Sequence, residues 1–253
     1  MTARVGRVEY LLPLAGVLAF WAGIGMAGWE YPRELDWRYM TLSTLLSPNR
    51  NPAGHLWARL GLVLTACCNG WWALALGRHR EAERSQRFRW APWVLGAGSL
   101  CMLWVGCLSR PLPWIRKGHE VLTLLAFAGV CLGLLGLSAQ CVRRRFARWG
   151  ADGERPRFVI ATLAFLLLFP IVLAGATQAY VFYLLPQLPW VGLRWRAVGV
   201  PVYLSVAFWE WINCAVLSGY LVIVGCALGR QDRLREAVGA TEENTAAAKR
   251  TTP

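Results

Sequence analysis

The sequence predicts an all-α integral membrane protein, a bundle of six transmembrane helices with both termini in the cytoplasm. Three observations support this fold class. Hydrophobic residues make up 56% of the 253 residues and charged residues only 16%, several uncharged runs are long enough to cross a bilayer, and Lys and Arg are distributed unequally between the connections. The mean hydropathy of +0.38 points the same way.

Six runs lack Asp, Glu, Lys, Arg and His and have about the length of a membrane span. A hydrocarbon core roughly 30 Å thick requires about 20 apolar residues of helix, because backbone amides in lipid are satisfied within their own segment. The runs cover residues 10–29, 60–77, 90–108, 121–142, 158–193 and 211–229. We therefore expect one six-helix membrane domain, residues 1–235. A disordered cytoplasmic tail, residues 236–253, should follow, because it is rich in Ala, Thr, Glu and Lys.

The fifth run is too long for one crossing. Pro186 and Pro189 predict a break in its later part, and Pro170 predicts a kink in mid-span. Between residues 179 and 209 the only charges are Arg194 and Arg196. The same stretch contains Tyr180, Tyr183, Trp190, Trp195, Tyr203 and Trp209. Because Tyr and Trp prefer the membrane interface, we expect an aromatic outer cap between helices 5 and 6.

The distribution of Lys and Arg predicts the orientation. The N-terminus, residues 78–89, residues 143–157 and the tail from residue 230 carry 2, 5, 6 and 5 of these cations, a total of 18. The alternate connections, residues 30–59, 109–120 and 184–201, carry 4, 3 and 2, a total of 9. Because cationic flanks are retained in the cytoplasm, both termini should lie inside, and the expected location is the cell membrane, in bacteria the inner membrane.

The same topology explains the net charge of +13. The cations lie in short segments beside apolar spans, where they meet anionic lipid headgroups, so we expect membrane lipid and no nucleic acid as a partner. The fifteen Trp support this interpretation, since many fall at predicted membrane boundaries. Those at outer boundaries are Trp29, Trp37, Trp57, Trp114, Trp190 and Trp195, and those at inner boundaries are Trp71, Trp72, Trp90, Trp93 and Trp149.

Polar side chains near the spans gather at the outer side. A charged side chain in mid-span costs about 2.5–3.5 kcal/mol, so polar groups close to lipid are candidate functional residues. Asn69 and Asn213 lie deeper than the others. The residues predicted to bind a lipid or its headgroup are Arg110, His119, Ser43, Ser47, Asn51, Gln178 and Glu210. The alternative is that these side chains reach the interface or pair with one another, as Arg110 with Glu210.

A membrane-embedded hydrolase is an alternative function. The candidate catalytic residues are His55, His119, Glu120 and Asp36. The order Pro52-Ala53-Gly54-His55, Ser109-Arg110 and His119 faintly resembles lipid phosphatases, in which one His attacks phosphorus. Here Ala53 replaces the Ser of that pattern and its Lys-Arg-Pro element is missing.

A metal-dependent hydrolase similar to membrane ceramidases would use His55, His119 and Asp36 with an activated water. The His-x-x-x-His of that superfamily is absent from the sequence. A haem between His55 and His119 would lack the customary second His pair. We therefore predict no metal and no cofactor.

Gly129 and Gly133 in the fourth span have the Gly-x-x-x-Gly spacing that lets another helix approach closely. Packing within the bundle is the favoured interpretation. In the alternative, this face contacts a second protein, and the chain is a non-catalytic assembly subunit of a membrane complex.

The order of the spans and several short motifs resemble those of a known group of membrane proteins. A long outer loop with Asp36 and the run Ser-Thr-Leu-Leu-Ser-Pro at 43–48 follows the first span. The Gly-rich third span ends in Val-Gly-Cys-Leu at 105–108, and His119 opens a Gly- and Ala-rich fourth span. This layout resembles the Frag/DRAM/Sfk group of six-helix membrane proteins and its bacterial relatives of unknown function, although Leu46 replaces a Gly of that group. The resemblance implies involvement with membrane lipids, so we expect a lipid or lipid-linked molecule to bind at the outer face.

Overall fold

The structure is a computed structural model that describes residues 10–81, 89–107, 118–147, 154–184, 194–197 and 199–251. Within these ranges the chain is helical and contains no strand. The helices are α1 (Leu12–Trp29), α2 (Leu42–Leu46), α3 (His55–Glu81), α4 (Trp90–Cys107), α5 (Gly118–Ala147), α6 (Glu154–Leu184), α7 (Arg194–Ala197) and α8 (Val206–Thr251), with a 3-10 turn at Val202–Leu204 before α8.

Six of these helices are long and apolar enough to cross a membrane, which confirms the predicted six-helix bundle. The candidate spans are Leu12–Trp29, His55–Arg78, Trp90–Cys107, Val121–Ala147, Arg155–Thr177 and Val206–Arg230. The second and sixth spans each begin five residues earlier than the uncharged runs do. An uncharged run ends at any charged residue, whereas a helix does not. Arg59 and Glu210 are each the fifth residue of their helices, α3 and α8, where a charged side chain can reach the interface or a backbone group. The Arg59 Nε donates to Leu46 O at 3.1 Å.

The ends of α6 and α8 are the other boundaries to compare with the prediction. α6 contains Pro170 and continues to Leu184; the break predicted at Pro186 and Pro189 lies outside the described residues. α8 continues through the predicted tail to Thr251, so the segment for which disorder is expected is helical here. Ala, Glu, Lys and Arg, which have high helix propensity, occupy 10 of the 18 positions from 236 to 253.

Small residues bring neighbouring helices close together. A Cβ built on Gly129 of α5 would lie 2.7 Å from the Cα of Gly98 on α4, and one on Gly133 would lie 2.7 Å from the Cβ of Leu95. On α1, a Cβ on Gly23 would lie 2.8 Å from the Cα of Gly61 on α3. The face with Gly129 and Gly133 is therefore occupied by α4 of the same chain, as the favoured interpretation of that spacing expects.

We call the end of the bundle that carries residues 30–54 the outer end, following the predicted orientation. The largest buried core lies toward the opposite, inner end. It includes Trp72 and Leu76 of α3, Leu95 of α4, and Leu134 of α5, each at most 1% exposed. Trp72, which the sequence places at the inner boundary, therefore faces this core and not lipid. Trp71 is 59% exposed, and adjacent residues on a helix point about 100° apart, so one of the pair faces lipid and the other the core.

Candidate functional site: a cavity in the outer half of the bundle

A cavity of about 150 Å³ lies between α1, α3, α4, α5 and α8, and α2 contributes to its wall at the outer end. Its lining runs from Ala58 to Asn69 on α3, from His119 to Val130 on α5, and from Glu210 to Leu221 on α8. Each stretch rises by eleven residues, or about 16 Å at 1.5 Å per residue. The hydrocarbon core of a bilayer is roughly 30 Å thick, so the cavity is about as deep as one leaflet.

The walls of the cavity are mainly apolar. They are formed by Val17, Phe20, Ile24, Leu42, Leu46, Ala58, Leu62, Met102, Val105, Ala126, Phe127, Val130, Cys214, Leu217 and Leu221. Val130 and Leu221, at the deep end, also belong to the inner core described above. The packed core therefore closes the cavity toward the inner end. Ser43 and Thr123 line the cavity and are exposed, so the cavity is accessible in its outer half.

Three residues predicted to bind a headgroup line this cavity: Ser43, His119 and Glu210. Each comes from a different helix, α2, α5 and α8, and each stands at or near its outer end. The Glu210 carboxylate accepts hydrogen bonds from the backbone N–H groups of Leu42 and Ser43, which begin α2. Glu210 therefore connects the last span to the short helix at the mouth of the cavity.

Asn69 lies at the deep end of the cavity. Its side chain is 2% exposed, and in the described part of the chain its Oδ1 has no hydrogen-bond partner. One turn above it, Thr65 Oγ1 lies 2.8 Å from Gly16 O and 2.7 Å from Gly61 O, so this hydroxyl is engaged by the helix backbones. Burying an amide oxygen without a hydrogen-bond partner costs free energy of folding. The Asn69 Oδ1 is therefore an available acceptor at the inner end of the cavity.

Sequence reasoning noted the depth of Asn69 but did not assign it to the site, and it missed Thr65, Thr123 and Ser218, which also line the cavity. The spacing of the lining residues on α3 in the sequence would have indicated that they lie together. Residues 58, 62, 65 and 69 recur at intervals of three and four, so they share one face of a helix.

Asp36, a candidate catalytic residue, is buried in an ion-pair cluster in the outer loop. Its carboxylate lies 2.8 Å from Arg38 Nε and 3.1 Å from Arg196 Nη1. The hydrogen bond from Arg38 lowers the pKa of Asp36 below its ordinary value, against the opposing effect of burial, and the charge of Arg196 adds to the lowering. Asp36 does not line the cavity, and its contacts join the first outer loop to α7.

Asn51, predicted to bind a headgroup, is fully buried and engaged at both ends of its amide. Its Nδ2 donates to Ala27 O at 2.9 Å, and its Oδ1 accepts from the backbone N–H of Gly54 at 3.1 Å. Ser47, from the same group, accepts at its backbone oxygen from Asn51 N at 2.8 Å. These contacts build the turn between α2 and α3.

The two His of the hydrolase alternative occupy different surroundings. His119 lines the cavity, whereas His55 is absent from the lining and has its Nδ1 3.0 Å from Asn51 O. Within the described ranges, no three residues among His, Cys, Asp and Glu are placed to hold a metal ion. Arg110 and the side chains of Glu120 and Gln178 lie outside what the structure describes.

A family model described as protein of unknown function (DUF998) matches residues 14–212. This match covers the first five spans and the beginning of the sixth. Comparison with curated proteins gave no match, and comparison with solved structures gave none either.

Proposed function

The chain belongs to this DUF998 family, and we propose that it engages a lipid or lipid-linked molecule in the cavity at its extracytoplasmic face. The chain is a membrane-type helical protein with six candidate spans. The location that we propose for it is the bacterial inner membrane.

The proposal rests on the depth of the cavity and on the position of its polar groups. A cavity as deep as one leaflet, with apolar walls and polar groups at its mouth, matches the shape of an amphiphile. An acyl chain in the cavity would contact Leu62, Phe127 and Leu217, while its polar end would lie near Ser43 and Glu210.

The family resemblance in the outer loop and at His119 supports the same proposal, since the Frag/DRAM/Sfk group is associated with membrane lipids. The location that we propose for the lipid is the cavity. The mouth is formed by Ser43, His119 and Glu210, three of the residues proposed to face the headgroup.

Filling the cavity tests the proposal. Ala126 lines the cavity and is 6% exposed, so Ala126→Phe should place a ring in the space that a chain would occupy. Leu124 on the same helix is 68% exposed, and Leu124→Phe is the matched control. Native mass spectrometry of the purified proteins should show copurified lipid on the wild type and on Leu124→Phe, and at least a tenfold lower occupancy on Ala126→Phe.

An equal lipid occupancy in Ala126→Phe, with its melting temperature within a few degrees of the wild type, would overturn the proposal. If Ala126→Phe does not fold, Leu62→Trp provides a second way to fill the cavity, since Leu62 lies on the facing helix α3. Retention of bound lipid in that folded variant would count equally against the proposal.

A further inference from the structure

The cavity offers a hydrogen-bond acceptor at each end, and its mouth also contains the Ser43 hydroxyl and the His119 ring. At the mouth lies the Glu210 carboxylate, and at the deep end the unpaired Asn69 Oδ1. Among the described residues that line the cavity, none is Lys or Arg. In the described part of the lining, the mouth therefore has an acidic side chain with no Lys or Arg beside it.

The Glu210 carboxylate has acceptor capacity left for a ligand. An ionised carboxylate offers about four lone-pair positions, and the N–H groups of Leu42 and Ser43 occupy two of them. The two backbone bonds also fix the position of the carboxylate at the mouth. A ligand group that donates hydrogen bonds can then bind a preformed acceptor, which reduces the entropy lost on binding.

These contacts discriminate between classes of headgroup. A phosphate at the mouth would face the Glu210 carboxylate, and juxtaposition of like charges disfavours binding. An ammonium group has three donors and no acceptor, so it complements the carboxylate in both charge and hydrogen bonding.

We infer that the ligand of this cavity is an outer-leaflet amphiphile with a cationic, hydrogen-bond-donating polar group, of the class of long-chain amines, bound at Glu210. This inference rests on the proposed function, since it specifies the ligand of the same cavity. Its chain extends about 16 Å along α3, α5 and α8, toward Asn69.

Two probes with the same chain test the class of headgroup. The affinities of n-dodecylamine and n-dodecyl phosphate are measured by isothermal titration calorimetry on the full chain in nonionic detergent. Titration of each probe into protein-free detergent gives the heat of partitioning into micelles, which is subtracted. The wild type should bind dodecylamine at least tenfold more tightly than dodecyl phosphate, and Glu210→Gln should weaken amine binding at least tenfold.

Glu34→Gln is the matched control, because Glu34 is an exposed acid of the outer loop and its loss changes the net charge equally. Amine binding should change less than twofold in Glu34→Gln. An equal effect of the two variants would mean that general surface charge attracts the amine, and the assignment to Glu210 would be wrong.

Equal or tighter binding of dodecyl phosphate to the wild type would overturn the inference without any variant of Glu210. If Ala126→Phe still abolishes that binding, the cavity is a lipid site with an anionic ligand, and the proposed function survives. Loss of phosphate binding in Arg110→Ala would then identify the cation responsible. If Ala126→Phe leaves the binding of both probes unchanged, the proposed function itself fails.

Discussion

The hydroxyl of Tyr39 donates a hydrogen bond of 2.7 Å to the backbone oxygen of Val200, 161 residues away in the chain. Both residues are buried. A second bond runs in parallel, from Trp211 Nε1 to Met40 O at 2.8 Å. Together the two bonds attach the first outer loop to the segment that enters α8, and so hold α2 near the mouth of the cavity.

Tyr39→Phe should loosen this attachment. The substitution keeps the ring but leaves the buried Val200 oxygen without its partner, which costs about 1–3 kcal/mol. We expect a lower melting temperature and faster proteolytic cleavage within residues 30–54. Tyr203→Phe is the control, since Tyr203 is 61% exposed. Identical cleavage rates for the two variants would show that the Tyr39 bond does not hold the loop.

The Asp36 cluster should make stability depend on pH in the acid range. Because the pKa of Asp36 is lowered in the folded protein, its contribution is fully present above the ordinary value of 3.8. It is lost as the pH falls through the lower folded pKa. Asp36→Asn should therefore destabilise the protein at pH 7, by about 1 kcal/mol because both arginines are half exposed, and less at pH 3. Thermal unfolding at the two pH values measures this difference.

Arg196→Gln should reproduce part of the Asp36→Asn effect, because Arg196 pairs with Asp36. Arg33→Gln should not, although Arg33 lies at an exposed position of the loop that contains Asp36. A loss of stability that is the same at pH 7 and pH 3 would argue against ionisation of Asp36 as its cause.

Two buried asparagines should respond differently to replacement by leucine. Asn51→Leu removes an amide that bonds to Ala27 and Gly54, so a loss of about 1–3 kcal/mol is expected. Asn69→Leu removes an amide oxygen without a partner in the described chain, and it should leave the melting temperature unchanged or raise it. Differential scanning fluorimetry of both variants tests the contrast. A large loss in Asn69→Leu would mean that this oxygen is paired within the protein.

The close approach of α4 and α5 should make Gly98 intolerant of a side chain. A Cβ at Gly98 would lie 2.7 Å from the backbone N of Val130, so Gly98→Ala must separate the helices, at about 1–3 kcal/mol. Gly25→Ala on α1 is the control, because nothing lies within 4 Å of its Cβ position. The measurement is the melting temperature in detergent. Equal values for the two variants would show that the contact is not tight.

The predicted orientation can be tested by chemical labelling. In a background without native cysteines, Ser43→Cys should react with a membrane-impermeant maleimide added to intact spheroplasts. Arg78→Cys, which is exposed near the other end of α3, should react only after lysis. The reverse pattern would place residues 30–54 in the cytoplasm and would move the proposed lipid site to the inner leaflet.

The spans could be predicted from sequence because the requirement behind them is local: a backbone in lipid must pair within its own helix. The contacts of the outer loop could not be predicted. The pairs Asp36–Arg196 and Tyr39–Val200 depend on how α1, α3 and α8 pack, and nothing in the local pattern near residue 36 indicates a partner some 160 residues away. Asn69 could not be assigned to the site for the same reason. The sequence indicates that it lies deep in its span, but not that it lines a cavity.

The packed inner core of Trp72, Leu76, Leu95 and Leu134 has a thermodynamic consequence. A pocket that is sealed at one end exchanges its contents with a single reservoir. In the proposed orientation that reservoir is the outer leaflet, so occupancy at equilibrium follows the chemical potential of the ligand there. The composition of the cytoplasmic leaflet does not enter that equilibrium as long as this inner core stays packed.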